Sequence, residues 1–459
     1  MPVRKMIRGG TASFWTSAVL GTVGACSAAA GAGQFPQSEL PPTVAPVEGA
    51  KAFPGAAGFG AVSAGGRGGR IIAVTTLADG GEGSLRACID ANGPRVCVFR
   101  VNGTIRFTQR PPWITKPFLT IAGQTAPGGG ITLAHGGGDA GRTPLVIKGT
   151  HDVVVRHIRV RPNLPGGSRK AEDGITIEKS ERVIIDHVSA SWARDELING
   201  YGDNDNISIT NSIFAFGTPP HDKCALLASD PVGAQRLSFI GNICAHNGDR
   251  NPDLNFPLGS CVEVVNNVFY NGDSRFAEIW EAFGGTPVSL VGNVFIAGPD
   301  TPRSLVGIAR DSRGATGVAS IYLWDNEARG DFKLVTPNVA EVLQAKPPCP
   351  LTAQPLSASQ AFTNALGRAG AQPRDAVDKE VVSDIRKTTG RVGTPPPSVL
   401  PDPKPEAPYP DQDSDGMDDN WERKHGTDAA RSDPWDDSNR DGVPNLEDFL
   451  AYRERNVAS

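Results

Sequence analysis

The chain has 459 residues, with 54 glycines, 38 prolines and a net charge of −5. That length allows one large domain and an accessory piece. The mildly acidic balance leaves no electrostatic footprint for nucleic acid, and so much glycine and proline argues against a protein built on long helices.

The first residues carry an export pattern. Arg4, Lys5 and Arg8 precede an apolar stretch, residues 11–23, that is too short to span a bilayer. Val23-Gly-Ala-Cys26 matches a bacterial lipobox, in which Cys26 would carry lipid and attach the chain to a membrane. The expected location is therefore exported, whether secreted, periplasmic or as an outer-membrane lipoprotein. Residues 1–26 are assigned to the signal and 27–51 to a Pro-rich linker, extended and exposed. Six further cysteines in an exported chain permit three disulfides. Cys88 and Cys97, flanking a Gly-Pro turn, are the pair expected; the other pairings stay open.

The main domain is expected over 52–394. Gly65-Gly-Arg-Gly-Gly-Arg70 is no phosphate loop, because it precedes a strand (71–77) and lacks the Lys-Ser/Thr pair. Residues 83–90 are expected to form a short helix capping one end of a strand stack. From Val153 a pattern repeats, with first residues at Val153, Val183, Ile207, Leu237, Val262 and Val288. The successive spacings are 30, 24, 30, 25 and 26 residues. Short β-rich segments at such intervals, with no helix between them, predict an all-β solenoid. A doubly wound α/β fold lacks its helices, and a β-sandwich explains the strands without their spacing. A polar residue recurs beside each centre: His157, His187, Asn211, Asn242, Asn267 and Asn293. Stacked coils bring such side chains into register, where amides bond as a ladder.

Between Asp173 and Asn199 the pattern carries oxygen ligands. Asp173, Asp195 and Asn199 flank the strand Val183–His187, and a hard oxygen set of this kind suits calcium. Strand signals weaken after Trp324. Helices are expected at 338–343, 357–366 and 378–387, packed along the solenoid, before a second Pro-rich linker at 395–410.

The tail, 411–459, holds two calcium-loop templates. The first places Asp411, Asp413, Asp415, Met417 (through its carbonyl), Asp419 and Glu422 at positions 1, 3, 5, 7, 9 and 12, with Gly416 at the turn. The second places Asp437, Asn439, Asp441, Val443, Asn445 and Asp448 likewise, with Asp in place of Glu at its end. Short helices are expected after the loops, at 420–425 and 446–453. These paired units resemble dockerin or thrombospondin type 3 repeats, which implies rigidification or attachment.

The solenoid resembles polysaccharide lyase family 1, the pectate lyases, from about Gly58 to Arg391. Val183-Ile-Ile-Asp-His187, Ile121-Ala-Gly-Gln-Thr-Ala-Pro127, Arg374-Asp-Ala-Val-Asp378 and Arg250-Asn-Pro252 carry the likeness. It implies a right-handed parallel β-helix and calcium-dependent β-elimination on polygalacturonate, giving 4,5-unsaturated products. It further implies Asp173, Asp195 and Asn199 as calcium ligands, Arg250 as the catalytic residue, and Lys223, with neighbouring His221, in substrate binding. Asn199 stands where the family has an acid, and Asn255, also in the substrate-binding set, where many members have a second arginine. Glu172 or Glu196 is a candidate to replace the lost acid. His187 is expected to be structural, Asp186 structural or groove-facing, and Trp192 either a sugar platform or core. The expected partner is pectate or another acidic polysaccharide, met by a monomer. A non-catalytic polysaccharide-binding β-helix, a lyase for another uronate or for methylated pectin, and a glycoside hydrolase are the alternatives. The last ranks lowest, since the chain lacks the motifs typical of pectin hydrolases.

Overall fold

The computed structural model describes residues 36–135, 142–162, 171–229, 233–398 and 402–457. The signal and Cys26 lie outside them. The strands stack in parallel, coil on coil, into three sheets of ten, nine and nine strands, a right-handed parallel β-helix. The repeats pair as their spacing predicts: Val153 opposite Val183, Val183 opposite Ile207, Ile207 opposite Leu237, Leu237 opposite Val262 and Val262 opposite Val288. All six segments belong to the ten-stranded sheet.

The recurring polar residues fall into two columns, not one. His157, His187 and Asn211 sit at the corner where the chain leaves this sheet, with φ of 53°, 51° and 48°. In later coils Gly241, Asn266 and Gly292 take that left-handed corner, which glycine and asparagine tolerate best. Asn242, Asn267 and Asn293 stand one residue further on, buried, and continue to Asn326. Each amide donates to the next: Asn242 to Asn267 at 3.2 Å, Asn267 to Asn293 at 3.0 Å and Asn293 to Asn326 at 2.9 Å. Ser212 fills the same position one coil earlier, its N–H donating to Asn242 Oδ1 at 2.9 Å.

Two of the three outer faces are covered by apolar chain. Helices α1 (Leu85–Asp90), α2 (Ala358–Arg368), α3 (Ala376–Lys387), α4 (Asp419–His425) and α5 (Asn445–Val457) supply much of that cover. Ser84 caps α1 by accepting from the Ala87 N–H at 3.1 Å, and Ser357 with Gln360 forms a capping box on α2. α2 and α3 bury Ala365, Val381 and Ile385 against Ile243, Val268 and Val294 of one nine-stranded sheet. Over the ten-stranded sheet, Met417, Trp421, Phe449 and Leu450 cover Val96, Val98 and Ala122. Phe53, Ala56 and Ala61 cover Val154 and Ile184 on the same sheet. Here the glycine-rich lead-in lies flat: a Cβ on Gly60 would stand 2.3 Å from the Val183 carbonyl oxygen. The other nine-stranded sheet, which includes Ile175–Glu178, Glu196–Tyr201, Lys223–Ala228, Asp253–Asn255 and Ala277–Trp280, carries a row of charged residues, the face referred to below as the groove of the expected substrate.

The structure refines three expectations. Past Trp324, where the strand signal weakens, Glu327–Arg329 and Lys333–Val335 still add short rungs. The segment from residue 36 to 50 is extended but not free. Ser38 N–H donates to Leu323 O at 2.7 Å, and Val44 bridges Leu351. The second Pro-rich stretch is pinned too, with Asn102 donating to Lys404 O at 2.7 Å and accepting from the Glu406 N–H at 3.0 Å. The disulfides are Cys88–Cys97, as expected, with Cys224–Cys244 and Cys261–Cys349. Among the described residues no helix is long and apolar enough to cross a membrane.

Candidate active site

Parallel register builds the site, because equivalent positions on successive coils stand one strand spacing apart. Glu196 lies opposite Lys223, Lys223 bridges Asp249, and Asp253 lies opposite Glu278. Charged side chains that are about two dozen residues apart in sequence thus become neighbours along one face.

At one end of this row three carboxylates converge. Oxygens of Asp173, Asp195 and Glu196 all lie within 4.8 Å of one another. Thr176 Oγ1 donates to Asp173 Oδ2 at 2.7 Å, and His221 Nδ1 stands 3.4 Å from Asp195 Oδ1. Burial, and then the charge of Glu196, hold the Asp173 carboxyl well above its ordinary range. Burial and then Asp195 raise Glu196, while Arg250 opposes the shift. Like charges this close are stable as anions only with a cation among them. Three hard oxygen donors would supply part of the oxygen set that calcium takes.

The third member of the cluster is Glu196. Asn199 stands beside it, its Nδ2 donating to Glu196 Oε2 at 3.4 Å and its Oδ1 accepting from the Tyr201 N–H at 2.9 Å. Glu172 turns elsewhere, to His135 Nε2 at 3.0 Å.

Arg250 has a φ of 54° and meets the cluster directly, its Nη1 forming an ion pair with Glu196 Oε1. Its Nε lies 3.7 Å from Asp253 Oδ2, and its N–H donates to Glu278 Oε1 at 3.3 Å. Burial would lower the guanidinium's pKa, but the charges of Glu196, Asp253 and Asp249 raise it overall. Lys223 Nζ pairs with Asp249 Oδ1 at 2.6 Å. Asn255 has a building role here, accepting from the Phe283 N–H at 3.0 Å. Arg275, one coil beyond Arg250, shares its acid: Arg275 Nη1 lies 2.7 Å from Glu278 Oε2. Sequence reasoning does not single out Asp253, Glu278 or Arg275. The available signal is the repeat register itself, which sets each against a neighbour.

His187 and Asp186 lie on the ten-stranded sheet, away from the groove. His187 stacks on His157 with centroids 4.9 Å apart, and its Nδ1 is 2.8 Å from Asp186 Oδ2. Asp186 also pairs with Arg156 at 3.0 Å, so both are structural. Trp192 is core, stacked on Phe216 with its indole N–H donating to Thr394 O at 3.1 Å.

The two tail loops share one hydrogen-bond plan. Asp415 and Asp441 N–H donate to Asp411 and Asp437 Oδ1, both at 3.1 Å. Gly416 and Gly442 N–H donate to the second oxygens of the same aspartates, at 3.2 and 2.9 Å. Met417 and Val443 N–H donate to Asp415 and Asp441, at 3.0 and 2.9 Å. Gln412 and Ser438 N–H donate to Asp419 and Asn445, at 2.8 and 3.0 Å. The last positions differ: Asp448 is tied to Asn439 at 2.8 Å, whereas Glu422 Oε1 and Oε2 are both buried without a partner. Glu422, Asp415 and Asp433 bring their oxygens within 4.8 Å of one another, and Asp433 lies outside the loop template.

No protein-family model matches the chain. A protein of Aspergillus fumigatus named “Probable pectate lyase C” is 33% identical over 403 residues, covering 83% of this chain and 89% of that protein. One of the same name from Aspergillus flavus is 35% identical over 343 residues, covering 73% and 77%. Among solved structures, the major allergen of cedar pollen superposes with a TM-score of 0.53 at 18% identity, over 69% of this chain and 92% of the allergen. That last likeness is one of fold.

Proposed function

The chain belongs to the pectate lyase family and is a polysaccharide lyase, and on that premise we propose that it is an exported, calcium-dependent enzyme that cleaves polygalacturonate by β-elimination. The observation that carries the reading is the shared carboxylate. Arg250 is paired to Glu196, which is itself one of the three acids meeting at Asp173 and Asp195, on the charged groove.

In the reaction the C5 proton of a galacturonate passes to water at the site, the C4–O bond breaks with its electron pair leaving on oxygen, and a C4=C5 double bond forms. The departing oxygen takes a proton and becomes the hydroxyl at the new reducing end of the other fragment. Asp173, Asp195 and Glu196, with Asn199 adjacent, would hold calcium, which would bind the substrate carboxylate and draw charge from C5. Arg250 stabilises the negative charge that develops on that carboxylate as the proton leaves. Its carboxylate neighbours favour the charged guanidinium, which suits it to partner developing negative charge. Lys223 and His221 line the approach, and Lys223 binds an acidic sugar by displacing its partner Asp249. Arg275 supplies the cation that Asn255 lacks, since it shares Glu278 with Arg250. The three disulfides support an oxidising, exported setting.

The test is ultraviolet absorbance of unsaturated product during incubation with polygalacturonate at alkaline pH, with calcium, with chelator and with Arg250→Ala. Calcium-dependent absorbance lost in the variant is the expected result. Absorbance only on methylated pectin would move the substrate, and cleavage without absorbance would overturn the elimination.

A further inference from the structure

The head of the C-terminal module carries more negative charge than the chain neutralises. Asp411 meets Arg100 at 3.4 Å and Asp433 meets Arg431 at 3.2 Å. Glu422 is different: its residue is fully buried and both carboxyl oxygens lack a hydrogen-bond partner. A buried carboxylate without a donor is unfavourable unless it is protonated or binds a cation. The Glu422 carboxylate points into the group that Asp415 and Asp433 complete, and Asp415 also lies within 4.8 Å of Asp411 and Asp413. Asp433 reaches the group from the segment between the two loops, where its N–H donates to Asp415 Oδ2 at 3.2 Å.

The same residues fasten the module to the solenoid. Met417, at the seventh position of the loop, is completely buried with Trp421 against Val96, Val98 and Ala122. Asp411 offers an oxygen to the group and also pairs with Arg100 of the solenoid at 3.4 Å. Trp435 donates to Gly69 O at 2.9 Å, and Arg453 to Gln124 O at 3.2 Å. Glu454 pairs with Arg156 at 2.6 Å. The apolar side of α4 and α5 is thereby spent on this chain's own first coils.

We infer that Asp411, Asp413, Asp415, Glu422 and Asp433 hold one divalent cation of the calcium class, and that this ion is a clasp locking the module onto the opening strands of the solenoid. The ion fixes the loop backbone, the loop sets Met417 and Trp421, and these side chains cover the sheet. The inference is independent of the lyase reading and of the groove cluster, which uses other residues.

The test is hydrogen exchange on the full chain, with calcium and with chelator, in wild type and in Glu422→Gln/Asp433→Asn. Terbium luminescence sensitised by tryptophan reports occupancy of the loop beside Trp421. Calcium should slow exchange in Arg70–Val74 and Arg95–Phe99 by roughly tenfold in wild type. The double variant should lose both that slowing and the terbium signal. Calcium protection confined to residues 411–457, equal protection in variant and wild type, or no terbium signal in wild type would each overturn the clasp. Should the double variant not fold, Asp433→Asn alone carries the comparison, since Asp433 already has Arg431 as a partner.

Discussion

The guanidinium of Arg250 lies on the carboxylate of Glu196, and the same carboxylate closes the acidic cluster with Asp173 and Asp195. A cation drawn into the cluster therefore competes with Arg250 for one side chain. Glu196→Gln keeps the shape and removes the charge. It should raise the calcium concentration for half-saturation by about 10- to 100-fold, read by calorimetry as well as by activity. Unchanged calcium affinity would remove Glu196 from the ligand set and leave it as an anchor for Arg250 alone.

Arg250 faces three acids, and their charge holds its pKa above the ordinary value. A guanidinium held among these acids is placed to act through charge and geometry. Arg250→Ala should cut kcat by about 10²- to 10³-fold, with KM changed much less, as for loss of one transition-state donor. Arg250→Lys should recover only part, because a single ammonium cannot reproduce the planar fork. A rise in KM with kcat intact would reassign Arg250 to binding.

Asp253 stands 8% exposed between Arg250 and Glu278. Burial, and then Glu278, push its carboxyl up to about 8. The folded state thus keeps this proton more tightly than the unfolded chain, whose aspartate titrates near 3.8. In the window between those values the folded form binds more protons, so stability falls as pH rises through it. Asp253→Asn removes the penalty. The melting temperature of the variant relative to wild type should climb from about pH 4 to about pH 8 and then level off. A difference that narrows as pH rises would show that pairing with Arg250 outweighs the burial.

The repeat was legible because a solenoid writes its register into the sequence: Val183, Ile207 and Leu237 could be aligned from spacing, and they pair as aligned. Glu196 is legible as a stand-in for the acid missing at Asn199, but Asp253 and Glu278 are harder to single out. Each is one acid among many until the register sets Asp253 against Glu278. The segments around Ser38 and Lys404 read as free linkers because they have no apolar period of their own. What holds them is backbone and amide bonding from Leu323 and Asn102, which is information carried by the partner. The corner and ladder columns were merged for a related reason. His157 and Asn242 are both polar and nearly aligned, yet one residue of offset turns a left-handed corner into an inward rung.

That offset makes a sharp stability prediction. Asn267 is fully buried, and its amide donates to Phe239 O at 2.8 Å and to Asn293 Oδ1 at 3.0 Å. Its oxygen accepts from the Asn242 N–H at 2.8 Å and from Asn242 Nδ2 at 3.2 Å. Asn267→Ala takes partners from groups on both flanking coils at once and should cost about 3–5 kcal/mol, beyond a single buried hydrogen bond because the rungs act together. Asn267→Asp is nearly isosteric, yet it sets an acceptor against Phe239 O and Asn293 Oδ1 and buries a charge, so it should cost at least as much. Asn211, at the corner, makes one bond to Asp186 Oδ1 at 2.9 Å and holds a φ of 48° that glycine adopts freely. Asn211→Gly should therefore cost about 1 kcal/mol. Urea unfolding of the three variants ranks them. Equal costs at Asn211 and Asn267 would mean that the inward column adds no more than the corner bonds do, and that packing of the phenylalanine and aliphatic rows holds the coils in register.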